Sequence, residues 1–185
     1  MIINFEAVFK RLDEELDKID QYLELICAGG YVLQRHGYRN TLDVDAFYKS
    51  NEQISAAIRK IGDEFGINKE DELWLNNSIS NLNPEPPIEH CGIIYKFNNL
   101  IVKEVSLFYL IGMKFHSQRY QDLQDISSIL LKEENKDPFD LFTKLKNMGF
   151  DIDVSLVLEV FEIAYGIEWL ADFYNKNSND LYKYF

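Results

Sequence analysis

Cysteine is scarce in this chain. Among 185 residues there are two, Cys27 and Cys91, and neither belongs to a Cys-x-x-Cys pair. A cysteine-based zinc site therefore has too few ligands, and two buried, reduced thiols are expected. The three histidines, His36, His90 and His116, lie far apart, so none of the usual metal-ligand spacings is present. The sequence also lacks a Ser-His-Asp or Cys-His signature.

Long apolar runs are absent as well. No stretch reaches the roughly 18 apolar residues that suggest a membrane-spanning helix. The N-terminal segment MIINFEAVFKRLDEEL has no basic start followed by a continuous apolar core. We therefore expect no signal peptide, no membrane association and a cytoplasmic location.

Positive charge is in short supply. The chain has 19 Lys and Arg against 31 Asp and Glu, which gives a net charge of −12. Such a chain repels polyphosphate unless its basic groups gather locally, so broad, non-specific DNA binding is disfavoured. A small anionic ligand held together with metal ions remains compatible with this charge, because cations reverse the local electrostatics.

Proline and glycine are few, with 4 and 9 residues, whereas hydrophobic residues make up 46% of the chain. This composition predicts a folded domain. Apolar spacings of three and four predict helices at 4–20 and 51–65, and an apolar run that ends at two glycines predicts a strand at 22–28. The segment GGYVLQRHG is predicted as a short helix closed by Gly37, and TLDVDAFY as a second strand.

The second half of the chain is predicted to be mainly helical. The segment WLNNSISNLNPEPPIEHCG holds three of the four prolines and is predicted as loop, and 93–106 as a hairpin that turns at Asn98-Asn99. Helices are expected at 107–118, 121–131, 137–147 and 154–174. We expect an α+β fold, with a core at 1–106 and a helical part at 107–185 packed on it as one compact unit.

Asp43 and Asp45 are the first candidate site residues. On a strand, residues two apart point the same way with Cα atoms about 7 Å apart, so both carboxylates and Phe47 would share one face. That spacing suits a pair of divalent ions. In a chain with 31 acidic residues the same triplet is also compatible with a solvated strand face.

Gly29 and Gly30 are the second candidate. They stand between a predicted strand and a predicted helix, where glycine permits a sharp turn and lets a ligand approach the backbone amides. Gly-x-Gly-x-x-Gly and Gly-Lys-Ser/Thr are both absent. A lone Gly-Gly also fits an ordinary tight turn.

Together these segments resemble the nucleotidyltransferase superfamily built on the polymerase-β-type palm. Its mark is Gly-Gly or Gly-Ser at a strand-to-helix turn, followed after about ten residues by Asp-x-Asp or Asp-x-Glu. Here Gly29-Gly30 precedes Asp43-Val44-Asp45 by twelve residues. The likeness is greater to a bacterial subgroup similar to the toxins of abortive-infection type toxin–antitoxin pairs, and it spans roughly 22–131. The subgroup's further segments read Gly37-Tyr38-Arg39-Asn40-Thr41, Trp74-Leu75-Asn76, and Met113-Lys114-Phe115 followed by Arg119, Asp122 and Asp125.

The resemblance implies a nucleotidyltransferase-type mixed β-sheet core flanked by helices. It implies that Gly29 and Gly30 contact the triphosphate of an NTP and that Asp43 and Asp45 hold Mg²⁺ or Mn²⁺. A hydroxyl would then attack the α-phosphate in line, with pyrophosphate as the leaving group. Arg39 and Thr41 would add phosphate contacts, although Arg39 also fits a surface loop.

The resemblance assigns roles to three further residues, but less specifically. A third carboxylate usually lies on a neighbouring strand, and the candidate is Glu104, which interrupts an apolar face with Leu100 and Val102. In the toxin-like relatives a lysine and an aspartate of the helical region help to shape the site, which points to Lys114 and Asp122. A lysine at a helix edge and an aspartate at a helix start are equally compatible with structural roles.

Several functions and partners stay open at this point. The acceptor could be RNA or tRNA, a protein or a small molecule, and an antitoxin is an expected partner. RNA would need a basic patch, for which the nearest residues in sequence are Arg35, Arg39, Lys49, Arg59 and Lys60. One alternative is a catalytically weak nucleotide-binding or regulatory module with the same fold. Another is an interaction protein that forms a homodimer through the apolar helix 154–174.

Overall fold

A mixed five-stranded sheet organises the first of the two units into which the chain divides, Met1–Leu107 and Phe108–Phe185. The computed structural model describes residues 3–70, 72–81, 83–117 and 119–181. Within those ranges the chain forms five strands and eight α-helices, so the predicted α+β class is confirmed.

Helices and strands alternate through the first unit. Asn4 and Asn51 cap the first and third helices, because each side chain accepts a hydrogen bond from a backbone N–H in the first turn. Gly66, in the left-handed conformation, ends the third helix. The elements are α1 (Phe5–Lys18), β1 (Leu23–Ala28), α2 (Gly29–Arg35), β2 (Val44–Phe47), α3 (Glu52–Phe65), β3 (Leu75–Asn76), β4 (Cys91–Lys96) and β5 (Leu100–Val105).

The strand order in the sheet is β3-β2-β1-β5-β4. The central strand β1 pairs antiparallel with β2 and parallel with β5, while β3 runs parallel to β2 and β4 antiparallel to β5. Because directly paired residues point to the same side, the register defines two faces. One face carries Leu25, Cys27, Val44, Ala46 and Val102, and all five are fully buried. We call this the helix face and its opposite the Asp45 face.

Helices α1 and α3 pack against each other, and α1 also contacts β5. Trp74, just before β3, joins them: its ring lies 5.6 Å from that of Phe9, and its indole N–H donates to the Ile58 carbonyl at 2.9 Å. This packing explains the complete burial of the helix face. Burial also raises the pKa of the Cys27 thiol, which keeps it protonated.

Three sequence predictions in this unit need correction. The strand predicted to include Asp43 begins at Val44, so Asp43 lies just before it. The segment predicted to be mostly loop also contains a two-residue strand, β3, which is too short to show alternation, and two short 3₁₀ turns, Ser78–Asn81 and Ile88–His90. Both cysteines are free, but Cys91 is only partly buried.

The second unit is helical. Its helices are α4 (Leu107–Ser117), α5 (Tyr120–Lys132), α6 (Pro138–Asn147), α7 (Val154–Tyr165) and α8 (Ile167–Leu181), of which α4 begins at the last residue of the first unit. The single helix predicted at 154–174 is wrong. Gly166 has φ 89° and ψ 162°, which no helix accommodates, and it separates α7 from α8.

Apolar residues of α7 account for the core of this unit. Helix α7 packs on α5, α6 and α8, and Val157, Val160 and Phe161 are fully buried there. The apolar residues of α7 that suggested a dimer contact therefore pack within the second unit. The homodimer itself stays a prediction. Among the described residues, none of the helices combines the length and the apolarity needed to cross a bilayer.

Candidate functional site

Asp45 and Gly29 are in direct contact at the end of β1. Asp45 pairs across the sheet with Ala28, the residue before Gly29. Gly29 has φ 60°, and a Cβ there would lie 2.6 Å from Oδ2 of Asp45. The left-handed backbone and the close approach both require glycine. The two predicted motifs, twelve residues apart in sequence, thus meet at one point.

Gly30 brings the intervening loop to the same place. A Cβ on Gly30 would lie 2.8 Å from Oγ1 of Thr41 and 3.4 Å from Nη1 of Arg39. The loop is anchored to α2, because the backbone N–H of Thr41 donates to Oε1 of Gln34 at 2.7 Å. Of the predicted nucleotide-binding residues, Gly29, Gly30, Arg39 and Thr41 therefore cluster beside Asp45.

Asp43 is held by two donors. The Thr41 hydroxyl donates to its Oδ1 at 2.8 Å, and Nζ of Lys69 lies 3.3 Å from its Oδ2. Lys69 also lies 3.2 Å from Oε2 of Glu72. Hydrogen bonds to Glu72 and then to Asp43 raise the pKa of Lys69, so it remains a cation at neutral pH.

A pocket of about 330 Å³ opens beside the two aspartates. Tyr48 forms part of its wall; its hydroxyl donates to the Leu75 carbonyl at 3.2 Å, and burial raises its pKa to about 12. The pocket is lined mainly by polar side chains and includes both carboxylates. Its lining residues are Asp43, Asp45, Tyr48, Ser50, Ser55, Glu72, Leu73, Leu75, Asn76, Asn77 and Ser78.

The structure places Glu104 on the helix face, not on the Asp45 face. Glu104 pairs directly with Cys27, and Cys27 pairs with Ala46. The Glu104 carboxylate lies 2.8 Å from Nε of Arg35 and 3.3 Å from Nε2 of His36. Its hydrogen bond to Arg35 raises the pKa of that guanidinium. Glu104 is therefore part of an ion cluster separate from the two aspartates.

Lys103, the residue before Glu104, lies on the Asp45 face of β5, level with Phe47 and not with Asp45. It pairs directly with Ile26, which in turn pairs with Phe47. Its ammonium forms an ion pair with Glu24, which lies two residues before Ile26 on β1, whereas Ala28, the partner of Asp45, lies two residues after it. On the Asp45 face, β5 therefore carries Ile101, Lys103 and Val105 and no carboxylate.

Lys114 belongs to the second unit and is closely surrounded there. Its Nζ lies 2.6 Å from Asp122 and 2.7 Å from Asp125, and all three side chains are almost fully buried. Ser117 and Arg119 also hydrogen-bond to Asp122. The sequence brought these residues together as a motif; the structure makes them one neutral, hydrogen-bonded cluster, which we call the Lys114 cluster.

The donors at the pocket suit a hard divalent cation. Asp43 and Asp45 supply carboxylate oxygens, the ligands that Mg²⁺ and Mn²⁺ prefer, and Mg²⁺ normally completes its shell with phosphate oxygens and water. Within the part of the chain that the structure describes, no group of three or more His, Cys, Asp or Glu residues converges on one point. The residues present thus fit a metal that arrives with its phosphate ligand.

Sequence reasoning missed the contribution of the segment before β3. Lys69 lies beside the aspartate pocket and Glu72 lines it, but neither belongs to a recognisable spacing. Only the Trp74-Leu75-Asn76 segment carried a signal, and the pairing of Asn76 with Asp45 explains its position.

The described residues thus define an α+β protein with a glycine–carboxylate site on one face of a mixed sheet. Comparisons of the chain with protein-family models, with curated proteins and with solved structures found no match in any of the three. Any functional statement consequently rests on the geometry of this site and on the motifs that form it.

Proposed function

We propose that this protein is a metal-dependent nucleotidyltransferase that transfers NMP from an NTP to a hydroxyl-bearing acceptor. The observation that carries the proposal is the contact between Gly29 and Asp45, with Asp43 and Asp45 lining one pocket. A backbone free of side chains beside two carboxylates suits a triphosphate and its metal.

The residues around this contact have complementary roles in the proposed reaction. Gly29 and Gly30 would contact phosphate oxygens through their backbone N–H groups, and their lack of a side chain lets Asp45 and Thr41 approach the same turn. Arg39, close to Gly30, supplies a planar cation for the same oxygens. Thr41 holds the Asp43 carboxylate through its 2.8 Å hydrogen bond and fixes its orientation. Lys69 offers a second cation at the pocket edge.

Asp43 and Asp45 would hold the metal, which when bound neutralises the triphosphate and promotes attack on the α-phosphate. Because Asp45 lies against Gly29, a metal that it holds would lie close to the two glycines. On the basis of its resemblance to the toxins of toxin–antitoxin pairs, we propose that the protein acts as a toxin and has an antitoxin as its partner.

Transfer of label from α-labelled NTPs tests the proposal. The protein is incubated with Mg²⁺, the four NTPs, and separate tRNA, protein and small-molecule pools. Asp45→Ala is expected to lower transfer on the order of a hundredfold, since a metal ligand contributes several kcal/mol. Asp172→Ala, at an exposed aspartate of α8, is the matched control and should retain activity. Label transfer that is unchanged in Asp45→Ala would contradict the proposal.

A nucleotide-binding module without efficient catalysis is the second candidate. The position of Glu104 on the opposite face favours it, because β5 then brings no third carboxylate to the Asp45 face. Calorimetry with NTP and Mg²⁺ distinguishes the two. Binding that Asp45→Ala abolishes, without label transfer to any pool, would select this candidate.

A further inference from the structure

A second and larger cavity, of about 670 Å³, lies on the Asp45 face of the sheet. Its floor is formed by Ile26 of β1 and Phe47 of β2, which are paired across the strands and almost fully buried. Tyr22 presents a half-exposed ring at its edge. The volume falls in the range of pockets that bind small molecules.

The cavity adjoins the aspartate pocket, because Tyr48 lines both. The strand register fixes the order along the sheet. Asp45 is paired with Ala28, Gly29 follows on one side, and the Ile26–Phe47 pair lies on the other. Asp45 therefore stands between the glycines and the floor of the second cavity. In-line displacement requires the attacking and leaving groups on opposite sides of the phosphorus, and this order provides that arrangement.

The charges around the cavity disfavour a polyanionic acceptor. Among the residues that the structure describes, its charged lining consists of the carboxylates of Glu24 and Glu85 and the ammonium of Lys49, and no arginine lines it. Glu24 already pairs with Lys103. An RNA chain would require several cations for its phosphates, and each unpaired phosphate near a carboxylate is repelled.

The basic residues that could have formed an RNA patch are dispersed in this unit. Arg35 is bound to Glu104 on the helix face, and Lys60 lies 2.6 Å from Glu15 of α1. A cation already paired with a carboxylate attracts a phosphate much less, since the pair has little net charge. Of the other predicted patch residues, Arg39 lies beside Gly30 and Lys49 lines the cavity, so only part of the predicted patch reaches this side of the sheet.

We propose that this cavity is the acceptor subsite and that the acceptor is a small, uncharged or cationic molecule with an apolar ring and a hydroxyl group. The inference rests on the proposed nucleotidyltransferase function. The acceptor oxygen forms a bond to the α-phosphorus, and the bond from that phosphorus to the bridging oxygen breaks. The electron pair leaves with pyrophosphate, and the hydroxyl proton passes to water.

Three phenols with the same ring and different tails test the class of ligand. Tyramine is cationic, 2-(4-hydroxyphenyl)ethanol is neutral and 4-hydroxyphenylacetate is anionic. In NMR titrations of the full chain, the first two should bind, and the anion should bind roughly tenfold or more weakly than tyramine, about 1.4 kcal/mol. Equal or tighter binding of the anion, or no binding of any of the three, overturns the assignment.

Substitutions of cavity residues test whether the phenols bind in this cavity. Ile26→Trp fills the cavity floor and should abolish phenol binding, whereas Ile93→Trp, at an exposed position of β4, should not. Tyr22→Ala removes only a half-exposed ring and should weaken binding at least severalfold, so the test does not depend on how Ile26→Trp folds. Tyr120→Ala, an exposed tyrosine of α5, is its control. Phenol binding unchanged in both cavity variants would place it elsewhere.

The transfer assay separates failure of this inference from failure of the proposed function. Label from α-labelled NTP should appear in a macromolecule-free filtrate of cell extract, and Tyr22→Ala should lower it while NTP binding stays unchanged. Label that accumulates in tRNA and is insensitive to Tyr22→Ala overturns the acceptor subsite but leaves the nucleotidyltransferase intact. A wild-type protein that neither binds nor transfers NTP overturns the function on which the inference rests.

Discussion

Two clusters of carboxylates and lysine in this protein differ in one decisive respect. Asp43 and Lys69 lie 3.3 Å apart and remain one-third to one-half exposed. Lys114 lies 2.6 Å from Asp122 and 2.7 Å from Asp125, and these side chains are 6%, 3% and 5% exposed. The same types of charged group thus occur once at an open pocket and once in a closed, fully bonded environment.

The difference concerns what each carboxylate can still bind. At the Lys114 cluster, the charges of Lys114, Asp122 and Asp125 are desolvated and paired, so removing the lysine leaves unpaired buried ions. At Asp43 the partner is a flexible, exposed lysine, and water or a ligand can replace it at little expense in stability. Burial with complete hydrogen bonding is typical of a structural cluster, whereas the open pair beside a pocket is available for binding.

Lys114→Met should give the largest change in stability. The substitution keeps much of the side-chain volume but leaves Asp122 and Asp125 without their shared cation. Breaking a buried pair in this way costs about 3–5 kcal/mol in the free energy of unfolding. Urea denaturation measures it. Lys176→Met, which breaks an exposed pair with Asp172, is the control, and equal losses in the two variants would contradict a structural role for the cluster.

Gly29→Ala should give the second-largest change in stability. Its comparison with Gly66→Ala separates the cost of backbone strain from an effect on the candidate site. Both glycines have left-handed φ, 60° and 63°, so each substitution costs about 1–2 kcal/mol. Only at Gly29 would the new Cβ meet a side chain, Oδ2 of Asp45 at 2.6 Å, while nothing lies within 4 Å at Gly66. Calorimetry should show loss of NTP and Mg²⁺ binding in Gly29→Ala but not in Gly66→Ala. Equal losses of binding in the two variants would show that the contact with Asp45 is not the cause.

The pH dependence of stability should also distinguish the buried Lys114 cluster from the exposed pair of Asp43 and Lys69. Burial acts to raise the pKa of Asp122, but hydrogen bonds from Arg119, Lys114 and Ser117 outweigh it and hold the pKa below its ordinary value of 3.8. The ionised form therefore stabilises the fold above that pH, and this contribution is lost as the pH falls below it.

Unfolding midpoints of the wild type and Asp122→Asn, recorded from neutral pH to below the ordinary pKa of aspartate, test this sign. The gap between the two proteins should be widest at neutral pH and should narrow on acidification. A gap that widens as the pH falls would show that the folded-state pKa is raised instead.

Lys69→Met should have the smallest effect on stability. Its two ion pairs, with Asp43 and Glu72, are largely exposed, and such pairs contribute about 0–1 kcal/mol. The free energy of unfolding should therefore change by less than about 0.5 kcal/mol. A loss comparable with that of Lys114→Met would mean that the two clusters do not differ as described.

Much of the fold could be predicted because local patterns are strong. The apolar spacing of α1 and α3, the glycine that ends α3 and the asparagines at the hairpin turn all act within a few residues. The errors occur where local pattern is weak or overridden. β3 has two residues, so alternation cannot reveal it, and Gly166 interrupts an otherwise continuous apolar pattern.

The candidate site was predictable only in part. The Gly29-Gly30 and Asp43-Val44-Asp45 motifs are local, and their resemblance to a family suggested that they meet. The contributions of Lys69 and Glu72 come from a loop that reaches the site through the pairing of β3 with β2, which no spacing in the sequence indicates.

The sequence by itself determined the class of the fold, most helices and strands, and the two motifs, because these depend on hydrophobic periodicity and on the conformational freedom of glycine. Only the tertiary structure decided which sheet face each acid occupies. A strand alternates its side chains, so a shift of one residue in pairing would exchange Lys103 and Glu104 between the faces. The register with β1 sets that choice, and it leaves Asp45 facing the cavities and Glu104 bound to Arg35 on the other side.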